Sequence, residues 1–117
     1  MRELSGVMAD VGKVRIRIPT SIKAGDVVRV RTLVIHPMER VERDKQGRIV
    51  PKNYHYITRV VATYRGKTVM AIDTTQGVSE NPTFTFAFRA TEPGQLRVTF
   101  HDTHGGMYEG TADVRFS

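Results

Sequence analysis

An all-β sandwich is the fold class this sequence predicts, and three observations carry it. Apolar and polar side chains alternate in short runs along most of the chain, the period-two pattern of half-buried strands. Turn signals containing Gly, Pro, Asn and Asp separate those runs. No convincing apolar period of helical spacing interrupts them.

Residues 1–12 show no period and are read as a flexible leader, with 13–117 as one domain. Val14, Ile16 and Ile18 alternate with Arg15 and Arg17, and Pro19 stops this first strand. The Ala24-Gly25-Asp26 turn leads into 27–35, where Val28 and Val30 oppose Arg29 and Arg31 before the pattern becomes apolar on both faces at Leu33-Val34-Ile35. Residues 54–64 are rich in Ile, Val, Thr and Tyr, which suit a pleated surface. Arg65-Gly66-Lys67 reads as a tight hairpin into 68–73. Phe84, Phe86 and Phe88 form an aromatic core stripe. The Glu92-Pro93-Gly94-Gln95 turn then hands over to a strand carrying Leu96, Val98 and Phe100. After Thr103-His104-Gly105-Gly106, a last strand aligns Tyr108, Gly110, Ala112, Val114 and Phe116. About seven strands over roughly 100 residues specify an immunoglobulin-like antiparallel β-sandwich. Without Cys or Trp it is not of the antibody type.

Bulk composition narrows the function classes. A chain of 117 residues, 39% hydrophobic, is long enough for one core. Cysteine is absent, which excludes disulfides, thiolate ligands and a cysteine nucleophile. The net charge of +6 allows an acidic protein, nucleic acid or an anionic surface as partner. No apolar run is long enough for membrane insertion. The first residues also lack the apolar segment of a signal peptide.

The segment 33–56 is the one stretch too long for a turn and too charged for core, and it opens on His36-Pro37-Met38-Glu39. Structureless connections above about 12–15 residues are uncommon in compact domains, so it is read as a recognition loop. Four histidines, His36, His55, His101 and His104, raise the question of a metal, with His101-Asp102-Thr103-His104 the obvious group. Strand-turn spacing guarantees no convergence of ligands, so these residues are read as turn formers or solvated side chains. Glu39 with Glu42, and Asp102 with Glu109, are likewise read as solvated charges. No nucleophile elbow, phosphate loop or dinucleotide fingerprint is present, so no catalytic residue, cofactor or metal is assigned. The arginines at 15, 17, 29, 31, 89, 97 and 115 are expected to cover the outer sheet faces. Stacking aromatics do not interleave with them, which argues against nucleic acid.

Segments 33–35, 57–64 and 68–72 carry apolar side chains on both faces, yet only one face of a sandwich strand meets the core. Adjoining strands of this kind would leave an apolar patch that a permanent partner covers. The expected contact set is Leu33, Ile35, His36, Pro37, Met38, Glu39, Ile57, Val61 and Val69.

Ile18-Pro19, the run from Ile22 through Ala24-Gly25-Asp26 to Val28, His36-Pro37-Met38-Glu39, Gly47-Arg48-Ile49-Val50-Pro51, Asn81-Pro82 and the run from Asp102 to Gly106 occur in that order. Together they resemble the SoxZ family, from residue 13 to the C-terminus. Val41 departs from the pattern where a glycine is common, Thr83 where an aromatic often follows Asn-Pro, and His101 and His104 are atypical. The resemblance implies an immunoglobulin-like, non-enzymatic subunit that forms a heterodimer with a SoxY-like protein. In that complex the partner's glycine-flanked C-terminal cysteine covalently holds thiosulfate-derived intermediates, and other Sox enzymes dock transiently during sulfur oxidation. It also implies a periplasmic location, with export relying on the partner's signal peptide. Superoxide-reductase-like domains share such a fold and histidine-bearing loops, but they need a cysteine ligand for iron, which this chain lacks. The alternatives are a histidine-dependent metal-binding protein and a basic adaptor domain.

Overall fold

The computed structural model describes residues 11–37, 42–50, 55–74 and 80–117. Seven strands follow in chain order: β1 (Val14–Arg17), β2 (Asp26–Val34), β3 (Ile57–Tyr64), β4 (Lys67–Asp73), β5 (Thr83–Ala90), β6 (Gly94–Asp102) and β7 (Met107–Val114). They form two antiparallel sheets, β1-β2-β5 and β4-β3-β6-β7, packed as an immunoglobulin-like sandwich. All five strand pairings are antiparallel.

Alternation places the core as expected. Val28, Val30 and Val34 of β2 meet Val60 and Ala62 of β3 and Leu96, Val98 and Phe100 of β6 in one buried cluster. Phe88 is buried, while Phe84 and Phe86 pack against the cluster from its margin. Phe84 lies 6.0 Å from the Phe100 ring, and Phe88 lies 4.6 Å from Tyr64. Arg65 and Gly66 both have positive φ, the turn whose twist suits a two-residue hairpin between β3 and β4.

Gly110 of β7 lies close against Val14 and Ile16 of β1. A Cβ there would lie 2.6 Å from Cγ1 of Val14, inside any tolerable contact. Gly110→Val should therefore destabilise the fold by about 1–3 kcal/mol through overpacking. Urea unfolding checks this, and an unchanged midpoint would show that the sheets can part there without cost.

Two expectations need correction. Strict alternation puts Ile57 and Val61 on one face, but the β3–β6 register shifts between Ile57 and Arg59. The extra residue reverses the parity, so Ile57 is fully buried in the core while Val61 faces outward, half-buried. A second shift, opposite Ala62 and Thr63, leaves Val69 as the additional residue of β4. Val69 and Met70 consequently both pack against the core. Of the three doubly apolar segments, 57–64 and 68–72 adjoin as β3 and β4, but 33–35 lies at the end of β2 in the other sheet.

Nor is the described part of the long connection structureless. Arg43 and Ile49 form a β-bridge around a turn in which the Asp44 carboxylate accepts from the Gln46 and Arg48 amides. Asp44 supplies its own turn scaffold, as short acidic side chains do.

Candidate functional site

Three separated segments meet at one end of the sandwich. Beyond β2, Ile35 continues the ladder by donating to the Lys13 carbonyl. His36 follows, held by a reciprocal pair: its amide donates to Oδ1 of Asn81, and the Asn81 amide donates to its carbonyl. Asn81 takes a positive φ to do this and passes the chain to buried Pro82. The second segment brings His55 in ahead of β3, where Tyr56 and Thr103 are tied by the Thr103 amide donating to the Tyr56 carbonyl. The third is the end of β6 at Asp102 and its hairpin into β7.

Asp102 is the hub. Its Oδ2 accepts from Tyr108 Oη at 2.6 Å, His55 Nε2 at 2.8 Å and His36 Nε2 at 3.0 Å. Its Oδ1 accepts from the amides of Gly106 at 2.6 Å and His104 at 2.9 Å. Gly106 is required here because a Cβ would fall 2.6 Å from Oδ2. Burial alone would push the Asp102 carboxyl upward. The Tyr108, His36 and His55 donors, with the Gly106 amide, outweigh it and hold the group well below the usual carboxylate range. Burial and the neighbouring carboxylate push the Tyr108 hydroxyl up to about 12.

His36 is 1% exposed, and its Nδ1 lies 2.7 Å from the Pro37 carbonyl oxygen. Both ring nitrogens face acceptors, Nδ1 the Pro37 carbonyl and Nε2 the Asp102 carboxylate, and the His36–Asp102 contact is closed from solvent. His55 packs edge-on to His36 at 4.3 Å and stacks flat on His104 at 3.9 Å. Asp102 is thus no solvated hairpin charge, a correction to the sequence reading, whereas Glu109 is exposed and pairs with Arg97. Convergence also occurs, though not within the His101–His104 group. His101 alternates onto the outer face of β6, while His36, His55 and Asp102 bring their ligand atoms within 4.8 Å of one another. The set from which a metal could draw ligands is therefore these three, two of them from distant loops.

The expected contact residues divide among several places. Leu33 is half-buried on the outer face of the β1-β2-β5 sheet, and Ile35 and Pro37 are half-buried beside His36. Met38 and Glu39 lie outside the described residues. Val61 lies on the outer face of the other sheet, between Ala71 and Thr99.

The two outer faces differ in charge. On the four-stranded side, Arg59 pairs with Asp73 and Arg97 with Glu109, while Arg65 and Arg115 close pairs with Glu92 and Asp113 nearby. On the three-stranded side, Arg15, Arg17, Arg29, Arg31 and Arg89 project outward with no ion pair among the described residues. Arg89 donates only to the Gly25 carbonyl. Arg17 and Arg31 lie directly opposite each other across β1 and β2, a like-charge placement that weakens a sheet. Arg15, Arg17 and Arg31 line a shallow cavity of about 490 Å³ with Leu33 and Thr83. Five positive side chains are thus gathered on this one face of a chain whose net charge is +6.

Fold and site together define a cysteine-free immunoglobulin-like domain with a His–Asp hub at one end and one sheet face of arginines that pair with no acid among the described residues. The family model of the sulphur oxidation protein SoxZ matches residues 16–113. The chain belongs to the SoxZ family of sulfur-oxidation proteins. A comparison with curated protein sequences finds no match. Among solved structures, the chain is similar to a superoxide reductase (neelaredoxin) of Ignicoccus hospitalis, with a TM-score of 0.69 and 18% identity over 100% of this chain and 88% of that one. The sulfur carrier protein SoxY of Chlorobium limicola f thiosulfatophilum aligns with a TM-score of 0.59 and 15% identity over 87% and 73%. A superoxide reductase of Nanoarchaeum equitans gives 0.61 and 18% over 86% and 90%. At such identities these likenesses concern the fold.

Proposed function

We propose that the chain is the non-catalytic half of a sulfur carrier, paired with a SoxY-like subunit whose C-terminal cysteine holds thiosulfate-derived intermediates. The family match carries this reading. The absence of cysteine in this chain fits it, since no thiol here competes for the bound sulfur. On this reading the permanent partner covers the outer face around Val61 and Ala71, where the neighbouring arginines are already neutralised and aliphatic surface is left. The five-arginine face serves the transient encounters, steering anionic sulfur species and acidic surfaces of the docking enzymes. The complex works in the periplasm, exported on the partner's signal.

Calorimetric titration with the purified SoxY-like protein tests the pairing. One-to-one binding is expected, and no heat at micromolar concentrations would reject it. The steering role has its own test. Arg31→Glu should slow association of the complex with a docking Sox enzyme by about tenfold at low salt and flatten its salt dependence. Rates that ignore both the substitution and ionic strength would remove the role.

A further inference from the structure

We propose that His36, His55 and Asp102 form a binding site for one divalent first-row transition cation, with His36 Nε2, His55 Nε2 and Asp102 Oδ2 as its ligands. The inference stands apart from the carrier reading and rests on three features of the cluster.

The first is distance. Around such a cation, nitrogen and oxygen ligands at about 2.0–2.2 Å sit roughly 3–3.5 Å from one another. The two Nε2–Oδ2 separations are 3.0 and 2.8 Å, so a bound ion asks Oδ2 and each of these nitrogens to part by a few tenths of an ångström, with all three ligand atoms already within 4.8 Å of one another.

The second is the surrounding support. A ligating histidine usually donates its other ring N–H to a backbone carbonyl or a carboxylate, and a ligating carboxylate is itself held by donors. His36 Nδ1 already lies 2.7 Å from the Pro37 carbonyl. The other Asp102 oxygen already accepts from two backbone amides. Tyr108 donates to Oδ2 from the side and can keep doing so when that oxygen coordinates. A hydrogen-bonded hub needs a satisfied carboxylate, but it does not need both imidazoles aimed through Nε2 at the same oxygen.

The third is access. The side chains of His36 and Asp102 have no exposure, while that of His55 is 20% exposed, so an ion reaches the site past His55. Two imidazoles, one carboxylate and no thiolate suit Zn(II), Fe(II) or Co(II) better than hard cations or Cu(I). Three protein ligands leave coordination positions for water or an anion.

Coordination asks each histidine for an unprotonated Nε2: a proton held there passes to solvent or to the other ring nitrogen, and on His36 the Nδ1–H can donate to the Pro37 carbonyl.

The experiment titrates the full chain, stripped with a chelator, with Co(II) and then Zn(II). Visible absorption of Co(II) and calorimetry in two buffers of different ionisation enthalpy are read out. Saturation at one equivalent is expected, with protons displaced from the imidazoles as the cation binds. His55→Ala, folded by thermal denaturation in chelator, should weaken binding by at least the roughly 100-fold that losing a supporting partner costs a metal site. His101→Ala, on the outer face, should leave binding unchanged. Absence of a saturable Co(II) signal, wild-type affinity in His55→Ala, or loss of binding in His101→Ala would each overturn the assignment. Because the chain is tested alone, failure here is distinct from failure to pair with a SoxY-like protein.

Discussion

Asp102→Asn should lower the unfolding free energy by about 3–5 kcal/mol, the largest loss expected from any near-isosteric change in this chain. Five donors converge on the Asp102 carboxylate. An asparagine offers one acceptor and one NH2 group. Whichever way it is turned, the NH2 faces either two backbone amides or two imidazoles and a phenol, so at least two buried donors lose their acceptor. Glu109→Gln, one strand away, should cost no more than about 1 kcal/mol, because its pair with Arg97 is solvent-exposed. Chemical denaturation of the two variants side by side checks the contrast. Equal losses would mean that the hub adds nothing beyond an ordinary surface pair.

The same hub sets a pH dependence. The folded Asp102 holds its charge well below the ordinary value of 3.8, at which the unfolded chain takes up a proton. Its contribution is therefore complete above about pH 4–5 and is lost as the pH falls further. Tyr108 acts at the other extreme. Its unfolded value is 10.0 and its folded value about 12, so its share is present below pH 10 and is lost as the pH rises towards 12. In Asp102→Asn the acid limb should flatten.

Val61→Arg should weaken pairing with the SoxY-like subunit by about 2–4 kcal/mol, roughly 30- to 1000-fold in Kd. Val61 points outward and is half-buried beside Ala71 and Thr99, so an arginine fits the free chain without disturbing its core. In a desolvated contact the same guanidinium would lack a partner. Calorimetry gives the affinity, and the variant's own melting temperature separates lost pairing from lost folding. Unaltered affinity would place the contact elsewhere.

Much of the fold was legible because strand periodicity is local. Val28 and Val30 against Arg29 and Arg31, or Leu96, Val98 and Phe100 against Arg97 and Thr99, declare a face without reference to the rest of the chain. Misplaced residues owe their positions to events between strands. The bulges beside Ile57 and at Val69 insert one residue into a ladder and leave no mark in residue type, so parity counted along the chain is reversed past them.

The site was less legible for a related reason. His36 in its His-Pro-Met-Glu setting and Asp102 in its hairpin each stand out in the sequence, but separately. That they meet, 66 positions apart, follows from how the two sheets close at that end. One local signal was available: Asp102 followed by Gly105-Gly106 is the pattern of a carboxylate folded back on its own turn amides, and such a carboxylate is drawn inward. The Asp44 turn, which gives the long connection its bridge, carried a similar mark. The charge asymmetry of the two outer faces could not be read at all without the sheet order. It depends on which acids lie beside which arginines.

The central claim is that this chain is half of a carrier pair, and the mass of the complex tests it most directly. The chain is co-expressed with a SoxY-like protein carrying the sole affinity tag, and the eluted species is weighed by sedimentation equilibrium. Co-elution at the mass of one copy of each chain is the expected result. Elution of the tagged protein alone, with this chain recovered as a monomer in the flow-through, would contradict the account.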